Sequence, residues 1–412
     1  MAEEAPATSI QTNSPESDQD DSRQPARSVR SLRELIDTVS GKGLRLPKAD
    51  QDAGLAEILP FPFLALTGQK EMKLALTLAL INPNVGGVLL IGPRGTGKTT
   101  AVRSLADLLP EVPRSLCYYG CMPEDIETGG MDAVCPDCAR KYGQGESLTR
   151  LDRVRLVELP LNARLEDVIG GLDERAAVQD RLRLRRGILA HADRNILYID
   201  EVNLLHEDIA DAILDASAQG AYTVRRGPLT ATYRSRFVLI GSMNPEEGRL
   251  RPQIMDRFGL RVLVRGLEDP QERLEAYHRV QAYLRFPRQM VASYLPETHQ
   301  VRDEIQAARN LLPRVRLPEA TARLGMALIK RLKIDSLRAE ITLFEAAKAY
   351  AAADGRDAVE RVDLQAVAAM ALRMRRSSFI TEFFDNQGTE EDEISSILQE
   401  GNPFREELFS KK

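Results

Sequence analysis

Five short apolar runs alternate with helical or loop stretches between residues 88 and 266. The runs are VLLIG (88–92), RLVELP (155–160), ILYID (196–200), FVLIGS (237–242) and RVLVRG (261–266). Three of them are apolar along nearly their whole length, which is typical of parallel strands that are covered on both faces. Strands that alternate with helices predict an α/β domain of the wound type, with a mostly parallel sheet.

A second pattern begins after residue 268. Ala, Leu, Arg and Glu dominate residues 269–376, and three helices are predicted there with Gly, Asp or Pro at their ends. Their sequences are LPEATARLGMALIKRLKID, SLRAEITLFEAAKAYAAADG and RVDLQAVAAMALRMRRSS. Upstream, the second half of FPFLALTGQKEMKLALTLAL (61–80) has apolar residues at helical spacing and predicts an amphipathic helix at the start of the compact region.

These patterns predict four parts. Residues 1–56 form a largely disordered acidic segment, because residues 1–28 are rich in Ser, Gln, Pro, Asp and Glu and have few large apolar groups. Residues 57–268 form the α/β core, with a Cys-rich insertion at 111–150. Residues 269–376 form an all-α domain, and residues 377–412 form an acidic tail that contains NQGTEEDEISS.

Composition excludes several classes of protein. The chain is 43% apolar and 28% charged, with a net charge of −5, and this balance argues against general nucleic-acid binding, which usually requires a basic face. No apolar run reaches the roughly 18–20 residues that a membrane span needs. The N-terminus is acidic and lacks the arrangement of a secretory signal, so we expect a cytoplasmic protein.

The first strand leads into a glycine-rich loop with G-x-x-x-x-G-K-T spacing. The residues expected around a nucleotide are Gly92, Pro93, Arg94, Gly95, Thr96, Gly97, Lys98, Thr99 and Thr100. Backbone N–H groups of such a loop form an anion cradle, and the following helix adds its positive end. Lys98 is expected to reach the β- and γ-phosphates and Thr99 to bind Mg²⁺. The preceding strand and following helix favour ATP or GTP binding over a chance match.

Asp200 and Glu201 end the apolar run ILYI. A carboxylate in this place can hold Mg²⁺, and the next one can orient and deprotonate an attacking water. The alternative is an acidic strand end that leads into a helix cap. The phosphate loop about 100 residues upstream favours the nucleotide-hydrolysing pair.

Asn244 follows the strand FVLIGS. If this strand lies between the phosphate-loop strand and the Asp-Glu strand, its tip points at the γ-phosphate, where Asn244 can bind the attacking water or a phosphate oxygen. An Asn-Pro turn initiator accounts for the local shape equally well. The polar residues Ser242 and Glu246 on either side favour a functional tip.

The segments GPRGTGKTT, LYIDEVNLL and GSMNPEEGRLRPQIMDRFGL resemble the AAA+ ATPases, and in particular the family of ATPase (I) subunits of magnesium chelatase. The similarity spans roughly residues 58–375. It implies a P-loop core followed by a helical lid, with Lys98 and Thr99 in the Walker A motif, Asp200 and Glu201 in Walker B, and Asn244 as sensor 1. It also implies that ATP and Mg²⁺ are the cofactors.

The same resemblance implies two roles for arginine and a set of partners. Arg257, in MDRFGL, matches the arginine finger that reaches a neighbouring subunit's nucleotide, and Arg338, in SLRAE, matches the sensor 2 arginine. A cation at either place would stabilise the charge of the transferring phosphoryl group; a surface salt bridge is the alternative. The family forms a ring of six that docks onto D subunits and works with the porphyrin-binding H subunit to insert Mg²⁺ into protoporphyrin IX. The alternative is a related remodelling ATPase that activates another protein.

All four cysteines lie within 22 residues, with the spacing C-x₃-C-x₁₃-C-x₂-C. They are Cys117, Cys121, Cys135 and Cys138. Disulfides are unexpected in a reducing compartment, and four thiolates on two short knuckles match a structural zinc site. A thiol-based redox switch and four free thiols stay open as alternatives.

A β-hairpin is also predicted at RRGPLTATYRSR (225–236), and the region from Tyr222 to Tyr233 is a candidate partner contact or a solvated surface hairpin.

Overall fold

The computed structural model describes residues 59–117, 119–173 and 184–376. These residues belong to a compact unit that begins at Leu59. The predictions for the N-terminal segment 1–56 and for the tail 377–412 therefore lie outside the described residues. None of the helices in the described ranges combines the length and the apolar composition that crossing a membrane requires.

Eleven strands occur in the described ranges, and the bounds of the predicted runs are reproduced to within a few residues. The strands are β1 (Val88–Ile91), β2 (Val112–Ser115), β3 (Thr149–Asp152), β4 (Leu156–Glu158), β5 (Gly170–Leu172), β6 (Leu184–Arg186), β7 (Ile196–Ile199), β8 (Ala221–Arg226), β9 (Leu229–Arg234), β10 (Val238–Met243) and β11 (Leu260–Leu263).

The α-helices of the described ranges include all three that the sequence predicts after residue 268. They are α1 (Lys70–Ile81), α2 (Lys98–Arg103), α3 (Pro123–Gly129), α4 (Pro136–Gly143), α5 (Leu165–Ile169), α6 (Ile188–His191), α7 (Glu207–Gln219), α8 (Pro252–Arg257), α9 (Pro270–Arg285), α10 (Pro287–Ser293), α11 (Leu295–Leu311), α12 (Glu319–Arg331), α13 (Leu337–Ala353) and α14 (Arg361–Leu372). The sequence analysis did not delimit α9, α10 and α11 one by one.

A five-stranded parallel sheet forms the centre of the fold, in the order β11-β1-β10-β7-β4. The strand that carries Asn244 at its tip, β10, lies between the phosphate-loop strand β1 and the Asp-Glu strand β7, which is the order that the interpretation of Asn244 requires. Because all five strands run in the same direction, their carboxyl ends meet at one edge of the sheet. We call this edge the carboxyl edge and the opposite one the amino edge.

Side chains of the central strands alternate between two hydrophobic cores. In β1, Val88 and Leu90 face a core shared with α1, α11, α13 and α14, whereas Leu89 and Ile91 face a core shared with α6, α7 and α8. Both sets are almost fully buried, which explains the continuous apolar runs, since a strand covered on both faces has no polar side. The helical region thus covers one face of the sheet. The α/β fold with a P-loop core and a C-terminal helical region is confirmed.

Three antiparallel pairs accompany the central sheet in the described residues: β2–β3, β5–β6 and β8–β9. β8 and β9 pair from Ala221↔Arg234 to Arg226↔Leu229, which confirms the predicted hairpin. β2 and β3 pair at the base of the Cys-rich insertion, and α3 and α4 lie between them in sequence. The insertion has a small core of its own, formed by Cys121, Ile126, Cys138 and Leu148.

Candidate functional site

The phosphate loop connects the end of β1 to the start of α2. Gly97 begins α2 with a φ of 86°, a left-handed conformation that glycine adopts without a steric penalty. Lys98 is only 8% exposed, and its Nζ donates to the carbonyl oxygens of Gly92 and Pro93 at 2.7 Å each. Burial lowers the pKa of Lys98, and the carboxylates of Asp200, Glu247 and Glu201 oppose this shift. The ammonium group therefore lies inside the loop.

The remaining loop residues lie around this ammonium group. Pro93, Arg94 and Gly95 are exposed at the top of the loop, as is Thr100 on the first turn of α2. The Oγ1 of Thr96 donates to the carbonyl oxygen of Pro93 at 3.0 Å. The loop is thus open to solvent on the side away from the sheet.

A hydroxyl network joins Thr99 to Asp200. The hydroxyl of Tyr198 lies 3.1 Å from Thr99 Oγ1 and donates to Asp200 Oδ1 at 2.9 Å. Ser242 Oγ also donates to Asp200 Oδ1 and lies 3.3 Å from the Tyr198 hydroxyl. Burial is the main reason that the pKa of Tyr198 is raised well above its usual value, so the hydroxyl stays protonated. The Thr99 hydroxyl and the Asp200 carboxylate, two oxygen ligands of the type that Mg²⁺ prefers, thus both bond to the Tyr198 hydroxyl.

Glu201 follows Asp200 in a strained backbone conformation, with a φ of 57°. Such outliers cost of order 1–3 kcal/mol and persist where the surroundings hold them. Here the Glu201 N–H donates to Ser242 Oγ at 3.2 Å, and the carboxylate lies 3.2 Å from Arg94 Nη2. Desolvation and then the neighbouring Glu247 raise the pKa of Glu201, whereas Arg94 lowers it. The contact with Arg94 places this carboxylate beside the phosphate loop.

Asn244 lies at the tip of β10 and is 3% exposed. Its Oδ1 accepts a hydrogen bond from the Glu246 N–H at 3.2 Å, so it caps a short 3₁₀ turn. Its Nδ2 donates to Glu247 Oε1 at 2.9 Å, and the same oxygen pairs with Arg94 Nε at 2.5 Å. The turn-capping role and the position at the carboxyl edge are therefore combined in one residue.

Arg257 lies at the amino edge, away from the phosphate loop. The N–H of Gly259, two residues on, donates to the carbonyl oxygen of Gly86, which precedes β1, and Leu260 pairs with Val88. The phosphate loop follows the other end of β1, about 13 Å away for four residues at roughly 3.3 Å each. Within the chain, the Arg257 guanidinium pairs with Asp215 of α7. This arginine is not close to its own phosphate loop.

Arg338 lies on the same side of the molecule as Arg257. Its Nη1 is 3.6 Å from Asp256 Oδ2, and its side chain is 49% exposed. Asp256 also pairs with the buried guanidinium groups of Arg375, at 2.8 Å, and Arg261, at 3.4 Å. Burial lowers the pKa of both buried arginines, that of Arg261 to about 10. Asp256 thus joins α8, the end of the helical region and the candidate sensor arginine.

Three residues of this arrangement were missed by the sequence analysis: Tyr198, Glu247 and Asp256. The signal for Tyr198 was a hydroxyl in an otherwise aliphatic strand, since a buried tyrosine usually finds a hydrogen-bond partner. Glu247 and Asp256 carried no local signal, because charged residues in a loop or short helix are common. Their partners come from distant segments of the chain.

The four cysteines come together in the insertion. Their sulfur atoms all lie within 4.8 Å of one another, with 3.5 Å between Cys117 and Cys135 and 3.8 Å between Cys117 and Cys121. All four are free, without disulfides. The N–H groups of Tyr119 and Cys135 donate to sulfur atoms of the cluster at 3.3 Å. The hydrogen bond between the sulfur atoms of Cys117 and Cys121 is the main reason that the pKa of Cys117 is lowered.

The parallel sheet, the phosphate loop, the acidic pair after β7 and the helical region together define an AAA-type ATPase. Two family descriptions match the chain: "AAA domain" at residues 84–244 and "AAA lid domain" at residues 326–397. The first spans the phosphate loop, Asp200 and Asn244, and the second begins within α12.

Curated relatives specify the family. A magnesium-chelatase subunit ChlI homolog of Methanocaldococcus jannaschii is 43% identical over 77% of this chain and 87% of its own length. The magnesium-chelatase 38 kDa subunit of Acidiphilium rubrum is 42% identical over 76% of this chain and 90% of its own. A structure of the complex between subunits BchI and BchD of magnesium chelatase contains a chain that is 40% identical, with 79% of this chain and 99% of that chain covered and a TM-score of 0.45. The protein belongs to the family of magnesium-chelatase ATPase subunits.

Proposed function

We propose that this protein is the motor subunit of a magnesium chelatase, coupling ATP hydrolysis to the insertion of Mg²⁺ into protoporphyrin IX during chlorophyll or bacteriochlorophyll synthesis. One observation carries the proposal. The groups that ATP hydrolysis requires, Lys98, the Thr99–Asp200 pair and Glu201, meet at the carboxyl edge of a sheet in a chain that is 43% identical to a relative of this name.

The phosphate loop provides the nucleotide site. The Lys98 ammonium, now bound to loop carbonyls, is placed to transfer its hydrogen bonds to phosphate oxygens, which are stronger acceptors because they are charged. A cavity of about 350 Å³ lies beside the end of β11; Met72, Leu263 and Leu267 line it together with charged residues that include Lys70, Glu71, Arg265, Glu268 and Arg373. Gly92 of the loop packs directly against Val264, at the end of β11. We assign this cavity to the nucleoside end of ATP.

The magnesium ion would be held by Thr99 and Asp200, with Tyr198 and Ser242 orienting the ligands. A bound Mg²⁺ would supply positive charge that offsets the negative charge developing on the phosphoryl group. Glu201 is assigned as the base that orients and deprotonates the attacking water, because its raised pKa suits proton transfer and its backbone holds it at the carboxyl edge. Asn244 is assigned to the attacking water or the γ-phosphate.

Arg257 and Arg338 are assigned to the nucleotide of a neighbouring subunit. Both lie on the amino-edge side, away from their own phosphate loop, and Arg338 is half exposed. A ring in which each amino edge faces the next carboxyl edge brings them to a bound nucleotide, where a cation from outside accelerates phosphoryl transfer. We therefore propose a homo-oligomeric ring, with six subunits as in the family, that works in the cytoplasm with a D subunit and a porphyrin-binding H subunit.

The test is reconstitution. The purified protein is mixed with chelatase D and H subunits, ATP, Mg²⁺ and protoporphyrin IX, and Mg-protoporphyrin is followed by its fluorescence. We expect product with the wild-type protein and none with Glu201→Gln, which keeps the nucleotide site but lacks the base. Confirmed ATPase activity without any Mg-protoporphyrin would instead identify a remodelling ATPase that acts on another protein.

We also propose that the four cysteines bind a structural zinc ion. A tetrahedral site with Zn–S bonds of about 2.3 Å places sulfur atoms about 3.8 Å apart, and the sulfur–sulfur distances of 3.5 and 3.8 Å fit this spacing. Backbone N–H groups that donate to the sulfurs stabilise thiolates. Elemental analysis should find one zinc per chain, lost in Cys121→Ser. Purified protein without zinc and with four titratable thiols would refute the assignment.

A further inference from the structure

The Cys-rich insertion is attached to the β8–β9 hairpin by ionic contacts that start from α3. Glu124 Oε2 lies 2.6 Å from Arg234 Nη1 at the end of β9, and it also pairs with Arg194, which precedes β7. Asp125 Oδ1 lies 2.8 Å from Arg234 Nη2. All four side chains are partly buried, and the most exposed of them, Glu124, has 45% of its surface exposed. One arginine of the hairpin is thus held by two adjacent carboxylates of the insertion.

A second contact joins the first cysteine knuckle to the hairpin through Arg186. A Cβ at Gly120 would lie 1.5 Å from Arg186 Nη1, so the guanidinium packs directly on the glycine backbone. The Cζ atom of the same guanidinium lies over the ring of Tyr233, 5.5 Å from its centroid. The ring centroid of Tyr233 in turn lies 5.8 Å from that of Tyr222 on the neighbouring strand of the hairpin. Arg186, on β6, therefore contacts both the knuckle and the hairpin.

Both points of attachment depend on the cysteines for their position. Gly120 lies between Cys117 and Cys121, and α3, which carries Glu124, begins two residues after Cys121. The core of the insertion is small: its buried members are Cys121, Cys138, Ile126 and Leu148. A module of this size usually needs a metal or a cross-link to keep a defined shape.

We propose that the metal-bound cysteine cluster is a brace for the β8–β9 hairpin, so that occupation of the cluster sets the position of this candidate partner-contact surface. The inference rests on the proposed zinc site and adds its mechanical role. The bound ion fixes Gly120 and α3 relative to each other. These two points then hold the hairpin through Arg186 and Arg234. A metal-free insertion leaves the sheet intact and releases the hairpin.

Hydrogen–deuterium exchange of the full-length protein tests the brace. Amide exchange of residues 221–234 is compared in zinc-loaded protein and after zinc removal by a chelator, with β7 and β10 as internal controls for folding. We expect the hairpin amides to exchange faster after zinc removal and the sheet amides to stay unchanged. A zinc-loaded protein whose hairpin exchange is the same before and after removal would overturn the brace while leaving the zinc site in place.

Glu124→Gln separates the brace from metal binding. This variant should keep one zinc per chain, because Glu124 is not a ligand, yet its hairpin should exchange about fivefold faster, as expected for the loss of a partly exposed ion pair. Glu127→Gln, an exposed position on the same helix, should behave as wild type. Hairpin exchange in Glu124→Gln that equals that of Glu127→Gln would refute the coupling. Wild-type protein that binds no zinc would refute the zinc proposal itself.

Discussion

Lys98 and Arg257 lie at opposite edges of the same parallel sheet, one after the carboxyl end of β1 and the other beside its amino end. A four-residue strand separates these edges by about 13 Å. The lysine is buried in its own phosphate loop, whereas the arginine is partly exposed and forms an ion pair with Asp215. In the proposed ring, a single subunit would thus contribute one half to each of two nucleotide sites.

Arg257→Ala should bind ATP with the affinity of wild type but lose hydrolysis by about a thousandfold, the usual contribution of an arginine finger. Binding is retained because Arg257 lies far from the loop of its own chain. ATPase rates and binding of a fluorescent ATP analogue check both parts. Arg323→Ala, which removes an exposed arginine paired with Glu319 in the same helix, is the matched control.

Mixing the inactive variants tests action between subunits. Rings assembled from Lys98→Ala and Arg257→Ala subunits should regain part of the wild-type ATPase activity, since a subunit without a functional loop can still supply Arg257 to its neighbour. If Arg257 acts on its own nucleotide, no mixture recovers activity. Hydrolysis at the wild-type rate by Arg257→Ala alone would refute the assignment of Arg257 as an arginine finger.

Lys98→Ala should weaken ATP binding by about a hundredfold or more, because a charge-assisted contact to phosphate inside a buried loop is lost. The fold should survive, since the lysine satisfies only the carbonyls of Gly92 and Pro93, which solvent can reach once the side chain is gone. Isothermal titration with ATP gives the affinity, and circular dichroism verifies the fold. Wild-type affinity in this variant would exclude the assigned nucleotide site.

Tyr198→Phe should raise the Mg²⁺ concentration needed for half-maximal nucleotide binding by about tenfold, because residues that orient metal ligands contribute 10–100-fold to metal affinity. The phenyl ring keeps the packing of a residue that is 1% exposed, so stability should change little. The readout is the Mg²⁺ dependence of nucleotide-analogue fluorescence, which does not require turnover. Tyr350→Phe, at another tyrosine packed against the same core, controls for the loss of a hydroxyl. An unchanged Mg²⁺ dependence would show that the Tyr198 hydroxyl does not contribute to Mg²⁺ binding.

The pH dependence of hydrolysis should report on Glu201. A base with a raised pKa is lost as the pH falls through that pKa, so the acid limb of log kcat should have its midpoint above the ordinary value of 4.5 for a glutamate. Arg94 lowers this pKa and Glu247 raises it. Arg94→Ala should therefore shift the midpoint upwards and Glu247→Gln downwards. Shifts in the opposite directions, or none in either variant, would mean that another group controls the limb.

Much of the fold was predictable because its signals are local. The apolar runs of β1, β7 and β10 reflect burial on both faces of the sheet, and the Gly–Lys–Thr loop requires only neighbours in sequence. The interpretation of Asn244 required its strand to lie between the phosphate-loop strand and the Asp-Glu strand, and the structure has this order. The hydroxyl network and the position of the arginines were not predictable, because they depend on contacts between residues that are far apart in the chain.

The sequence by itself determined which chemical groups the protein has. Backbone periodicity, the phosphate loop, the acidic pair and the cysteine spacing are properties of short segments, and each appears in the structure where the pattern places it. Only the tertiary structure decided which groups meet. Parallel packing brings Tyr198 between Thr99 and Asp200, the return of the chain through α8 carries Arg257 to the opposite edge, and the folded insertion brings Glu124 to Arg234 across 110 residues. Such contacts arise from the closure of the chain, and no local pattern encodes them.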